Sequence, residues 1–223
     1  MGNRKALVLF SGGLDSATTL SHALKEGYDC SALTIDYNQR HSYEVKSSEH
    51  YLKDMNVRSL SFNMDLTQIG GSALTDSTIK VPDKQTRDIP VTYVPARNTI
   101  FLSIAAAYAE KLNINSIFIG VNQIDYSGYP DCRPEYIDSV QKTINMGTKS
   151  GVTGKNLVIH TPLINMTKKD IILYGVSLGV DYSKTVSCYQ LDKNGLACGK
   201  CDACFYRKEG FNEAGVEDPT KYK

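Results

Sequence analysis

Two sets of residues in this chain have the types and spacing to do chemistry. The first is Ser11-Gly12-Gly13-Leu14-Asp15-Ser16, between the apolar run Ala6–Phe10 and the helical stretch from Ala17 to Lys25. A strand, a glycine turn and a helix N-terminus together form an anion site, because free backbone N–H groups and the helix dipole converge on one point. Gly12 and Gly13 permit positive φ and close approach of backbone to a phosphate, Ser11 and Ser16 add hydroxyl donors, and Asp15 is expected to cap the helix. A serine–glycine turn with a capped helix is the plain alternative. The second set is Cys188, Cys198, Cys201 and Cys204, spaced C-x9-C-x2-C-x2-C. Thiolates so spaced suit a closed tetrahedral zinc site, structural and not catalytic; an iron–sulfur cluster or free thiols are the alternatives.

The remaining composition narrows the classes. The chain has 223 residues, 41% of them hydrophobic, and a formal net charge of +1. That suits one α/β domain over residues 1–223, with residues 181–223 as a metal-binding segment packed on it. Near-neutral charge gives no general pull on nucleic acid or anionic membrane. No apolar stretch approaches a membrane span, and the run behind Met1–Lys5 is too short for a signal peptide, so a cytoplasmic protein is expected. In that compartment six cysteines point to metal or catalysis before disulfides. Cys30 reads as a small buried hydrophobe. Cys132 is a possible nucleophile without an evident base.

The elements that must position these groups alternate. Strands are expected at Lys5–Phe10, Cys30–Ile35, Val57–Asn63, Val91–Val94, Ser116–Val121 and Leu157–His160. Helices are expected at 17–26, 42–55, 98–112 and from Pro134 to about Met146. A further helix is capped by Thr167 with Asp170 in the reciprocal position and ends at Gly179. Such alternation implies a mostly parallel sheet with helices on both faces, with ligands beyond the carboxyl ends of the strands. The polar motifs fall there: Ser11–Ser16, Asp36, Pro95–Asn98 and the tyrosine-rich loop Asn122–Arg133.

The first loop lacks the Gly-Lys-Ser/Thr ending of a Walker loop. It resembles the SGGxDS loop of the N-type ATP pyrophosphatases, the PP-loop superfamily with an adenine nucleotide α-hydrolase-like, Rossmann-like fold. The blocks Tyr93-Val94-Pro95-Ala96-Arg97-Asn98, Gly120-Val121-Asn122, Asp125-Tyr126-Ser127-Gly128-Tyr129-Pro130-Asp131-Cys132-Arg133 and Ser187-Cys188-Tyr189 narrow the resemblance to the 7-cyano-7-deazaguanine synthases of the queuosine and archaeosine pathways. The resemblance covers nearly the whole chain.

It implies an ATP-dependent ligase acting on 7-carboxy-7-deazaguanine and ammonia, with Mg²⁺, a structural Zn²⁺ and a homodimeric assembly, and no direct contact with nucleic acid. On it, the nucleotide site comprises Phe10, Ser11, Gly12, Gly13, Leu14, Asp15, Ser16, Ala17, Thr18, Thr19 and Leu20, with Asp36. Asp15, Arg97, Arg133 and Lys168 are the candidate catalytic groups. Tyr93, Asn98, Asn122, Asp125, Tyr126, Tyr129, Asp131 and Arg133 are candidates for the deazapurine.

The chemistry suits these residue types. A carboxylate resists ammonia because oxide is its leaving group; ATP converts it to an acyl adenylate or acyl phosphate, and a second activation of the amide oxygen yields the nitrile. Two anions must be held together, which calls for cations, oriented N–H groups and Mg²⁺. Arg97, Arg133 and Lys168 are the cations available. Asp36 or Asp131 is able to accept the donors of a guanine-type ring, and Tyr126 and Tyr129 offer faces for stacking. Each has an ordinary alternative: a surface arginine, a solvated lysine, a cap by Asp131 on the helix at Pro134, or packing by the tyrosines. A tRNA-modifying ATP pyrophosphatase is the runner-up, set back by the near-zero charge. A non-enzymatic zinc-ribbon module leaves Ser11–Ser16 unexplained.

Overall fold

A computed structural model describes residues 4–39, 43–82, 89–122 and 129–223. The central strand is β1 (Arg4–Leu9), whose last four residues are all buried. Ala6 and Val8 enter one core while Leu7 and Leu9 enter another, so this strand is covered on both faces and reads as a continuous apolar run. Around it lie β2 (Tyr28–Asp36), β3 (Arg58–Asn63), β4 (Ser116–Phe118) and β5 (Val158–His160) in the order β3-β2-β1-β4-β5. Every pairing is parallel.

Helices α1 (Leu14–Lys25) and α2 (Tyr43–Asp54) cover one face. Helices α3 (Arg97–Leu112) and α4 (Pro134–Gly147) cover the other, and the short α5 (Lys149–Val152) packs on α4. Two further helices, α6 (Lys168–Ser177) and α7 (Asp202–Ala214), pack on each other and join the first core through Ile171, Ile172 and Phe211. The expected α/β architecture is therefore the observed one. The chain leaves β1 for β2 on one side and reaches β4 on the other, and the crevice between β1 and β4 is the switch point at which such sheets bind ligands.

Several local expectations need correction. Val91–Val94 is not a strand. The Tyr93 N–H closes a turn onto the Pro90 carbonyl at 2.8 Å. Proline on either side of the segment, at 90 and 95, removes donors that a sheet ladder would need, and Val94 instead packs with Tyr37, Leu66 and Leu74. Asp15 does not cap α1: the cap position is Gly13, with no side-chain bond. Nor does Asp131 cap the helix at Pro134, whose cap position is Arg133.

Helix α7 was not expected at all. Its buried stripe, Ala203, Cys204, Arg207, Gly210 and Phe211, has helical spacing but includes an arginine and a glycine, which hide the apolar period. The expected cap of α6 is present: Thr167 and Asp170 form a reciprocal capping box.

Candidate active site

The cavity at the switch point measures about 290 Å³, close to the lower end of small-ligand pockets. Its floor is the first loop. Gly12 takes φ +80°, a value only glycine adopts freely, and its carbonyl receives the Val186 N–H at 3.0 Å. Ser16 braces the loop from inside: its hydroxyl donates to the Gly13 carbonyl at 3.0 Å and accepts the Ser11 N–H at 3.3 Å. Gly13, the cap residue of α1, offers the helix no side chain, and residues 13–16 at the start of the helix line the cavity with the dipole behind them.

Gly120 lets that helix approach β4. A Cβ there would sit 2.9 Å from Thr19 Oγ1 and 3.0 Å from the Asp15 backbone. A side chain at 120 would thus push the first turn of α1 off the sheet.

The cations fall in different places. Lys168 is almost wholly buried, and its Nζ lies 2.7 and 2.9 Å from the two Asp15 oxygens. It reaches Asp15 across Gly210 of α7, where a Cβ would meet Lys168 Cγ at 2.5 Å. It is thus not a solvated first-turn lysine. Arg97 lines the cavity at the start of α3. Burial alone would lower its guanidinium, but the surrounding Tyr37, Tyr129, Asp131 and Tyr189 outweigh that and raise it, which keeps it a fixed cation.

The turn that delivers Arg97 is strained: Ala96 holds φ +55° in the left-handed region, at a cost of order 1 kcal/mol or more. Asp131 offsets part of this. Its Oδ2 accepts the Asn98 N–H at 3.2 Å, and its carbonyl accepts from Asn98 Nδ2 at 3.1 Å. Asp131 therefore caps α3 from behind the cavity wall.

Arg133 is exposed and donates to the Pro130 carbonyl at 3.1 Å, away from the wall. Asp36 stands at the end of β2, where its Oδ1 accepts the Asn38 N–H at 3.0 Å, and it too is off the wall. Tyr93 lies behind the wall and accepts the Ala96 N–H at 3.2 Å. Tyr129 and Asn122 line the cavity; Tyr129 shares a 3.0 Å hydrogen bond with Thr92, and Asn122 Nδ2 donates to the Met166 carbonyl. Asp125 and Tyr126 lie outside the described residues.

Of the first-loop set, Phe10, Ser11, Gly13, Leu14, Asp15 and Ser16 line the cavity, whereas Ala17, Thr18, Thr19 and Leu20 form the buried interior of α1. Cys132 lines it as well, but burial beside Asp131 pushes its thiol up to about 12, so it is a protonated wall residue and not a thiolate nucleophile.

Sequence reasoning assigned no site role to Tyr37, Gln39, Phe101, Val186, Ser187 and Tyr189, all on the wall. The Ser-Cys-Tyr block held the available signal for the last two. It places the start of the cysteine segment against the first loop.

Cys188, Cys198, Cys201 and Cys204 bring their sulfurs within 4.8 Å of one another, three of them buried. Backbone N–H groups point at these sulfurs: Cys198 and Gln190 onto Cys188 at 3.2 and 3.3 Å, and Cys201 onto Cys198 at 3.4 Å. This donor set fits a thiophilic metal ion with no open position.

The comparisons with known proteins agree with this geometry. The family model described as queuosine biosynthesis protein QueC matches residues 5–215. The 7-cyano-7-deazaguanine synthase of Saccharophagus degradans is 56% identical over 100% of this chain and 99% of its own. Those of Cellvibrio japonicus and Pseudomonas fluorescens are 55% and 54% identical over 100% of this chain and at least 99% of theirs. Among solved structures, a 4-thiouridine synthetase–RNA complex with bound ATP superposes with TM-score 0.56 at 19% identity, over 98% of this chain and 47% of that one. NMN synthetase from Francisella tularensis gives 0.53 at 18%, over 96% and 79%. These distant structures share the fold alone. The sheet, the loop and the cysteine cluster, with a match along nearly the full length, show that the chain belongs to the QueC family of queuosine biosynthesis.

Proposed function

We infer that the chain makes 7-cyano-7-deazaguanine from 7-carboxy-7-deazaguanine, with ATP activating first the carboxylate and then the amide. One observation carries the reading. A single cavity at the switch point joins the start of α1, the fixed cation Arg97, and the polar and aromatic wall of Asn122, Tyr129 and Tyr189. A triphosphate suits the first group, a carboxylate the second and a flat heterocycle the third.

The residues divide the work by position. The N–H groups of α1 hold the phosphates. Lys168, locked on Asp15, orients the first turn of that helix. Arg97 neutralises the carboxylate that is to be activated, and Asp131 fixes Arg97 and Asn98. Asp36 and Arg133, off the wall, are left with outer roles toward the nucleotide. Mg²⁺, held by Asp15 and the phosphates, would supply charge neutralisation between the two anions. Zinc is the metal proposed for the four thiols. Ammonia as donor, a homodimer, a cytoplasmic location and one catalytic unit with residues 181–223 as an integral part rest on the family likeness. No described helix is long and apolar enough to cross a membrane. The tRNA-acting alternative finds no support in a net charge of +1.

The test is incubation with 7-carboxy-7-deazaguanine, ammonia and MgATP, followed by mass spectrometry. The nitrile is expected from the wild type and not from folded Ser16→Ala, whose loop has lost its internal brace. Turnover undiminished in that variant would overturn the placement of ATP.

A further inference from the structure

Ser187 occupies an unusual position. It belongs to the cysteine segment, yet its side chain lines the cavity. Its Oγ accepts the Leu14 N–H at 3.4 Å, from the first residue of α1, and accepts Arg207 Nη1 at 3.4 Å. A hydroxyl has two acceptor sites and one proton. With both lone pairs engaged, the proton is directed away from its two donors, and among the described residues it has no acceptor. Ser187 is half-buried at the cavity wall, so the free direction is the cavity.

Arg207 explains why that orientation is held. Only 2% exposed, it is the bulkiest of the fully buried side chains. Its Nε donates to Asp218 at 3.1 Å, Nη1 to Thr185 Oγ1 at 2.9 Å, and Nη2 to the Tyr182 carbonyl at 2.9 Å. A buried charge survives only when paired and hydrogen-bonded, and these bonds leave the guanidinium little freedom. Arg207 also lies in α7, whose N-cap residue is Cys201 and whose first turn carries Cys204. The metal-binding cysteines, the buried arginine and the cavity serine are thus parts of one rigid piece.

We propose that Ser187 is a further ligand-binding residue, donating its hydroxyl proton to a phosphate oxygen of the bound nucleotide, and that Arg207 is the positioning residue that holds it there. The cysteine segment then supplies part of the nucleotide site as well as stabilising the chain. This rests on the reading that the nucleotide binds at the first loop.

The test is calorimetric binding of MgATP to the full chain, with the metal-to-protein ratio measured for each variant. Ser187→Ala is expected to weaken binding about tenfold or more, the scale of one hydrogen bond to a charged group, with metal content unchanged. Ser187→Thr, which keeps the hydroxyl, is expected to bind nearly as the wild type. Arg207→Lys keeps the charge but not the fork. It should weaken binding in the wild-type background and add nothing further in the Ser187→Ala background, as expected of a residue acting through Ser187. Should Arg207→Lys fail to fold, the two Ser187 variants decide alone. Wild-type affinity in Ser187→Ala, or equal losses in the Ala and Thr variants, would overturn the proposal. Ser16→Ala run alongside separates the two readings: a loss there with none in Ser187→Ala defeats only the role of Ser187, while no loss in either defeats nucleotide binding at the loop.

Discussion

Gly210→Ala is a one-methyl change at a residue off the cavity wall, yet it should disable the site. The new Cβ would lie 2.5 Å from Lys168 Cγ, 2.9 Å from Lys168 Cβ and 2.9 Å from Ile172 Cδ1. These atoms are at the root of Lys168, so the side chain has no way to swing clear without carrying Nζ from its 2.7 and 2.9 Å bonds to Asp15. Overpacking a core costs about 1–3 kcal/mol. Replacing glycine with alanine inside a helix returns about 1 kcal/mol. The net destabilisation is therefore about 0–2 kcal/mol, a fall in melting temperature of at most about 8 °C for a chain of this size. The variant should be folded at 25 °C. Turnover should respond far more, because a displacement of about 1 Å in a positioning group can cost about a hundredfold. The assay is single-turnover nitrile formation beside a thermal melt. A folded Gly210→Ala that turns over within twofold of wild type would show that the placement of Lys168 on Asp15 does not matter to the reaction.

Removing the metal with a chelator, or by Cys201→Ser, should unfasten the start of α7, lower the melting temperature and weaken MgATP binding; elemental analysis is expected to give about one zinc per chain in the wild type. Metal-free protein with unchanged melting and affinity would refute a structural metal. Stability should also fall as pH drops below the ordinary imidazole value of 6.5. Burial lowers His22, and burial with His22 and Arg4 nearby lowers His160, so the unfolded chain takes up protons that the folded chain refuses. The loss accumulates from 6.5 down to the folded values. His160→Phe, which keeps the 4.4 Å stack on Phe118, should flatten the slope of melting temperature against pH; an unchanged slope would remove His160 as a cause.

What sequence alone determined was carried by local pattern. The unbroken apolar run of β1 required a strand covered on both faces, and the glycine turn after it marked the loop that lines the cavity, because both follow from bonds and side chains within a few residues. The Thr167–Asp170 box was legible for the same reason. The cysteine spacing announced four thiols able to hold a metal ion before any contact was known. The segment 91–94 was misjudged because its alternation of apolar residues has two solutions, and packing against Tyr37 and Leu74 chose the one outside the sheet.

Only the tertiary structure decided which charged and polar groups meet. Lys168 and Asp15 are 153 positions apart, and Arg207 and Ser187 are 20. Nothing in their local sequence specifies either pair. Asp131 looked like a ligand-reading carboxylate or a cap for the helix beside it, and it proved to cap a helix 33 residues earlier. A buried charge finds whichever partner the packed elements place within reach, because leaving it unpaired costs more than any local propensity can return.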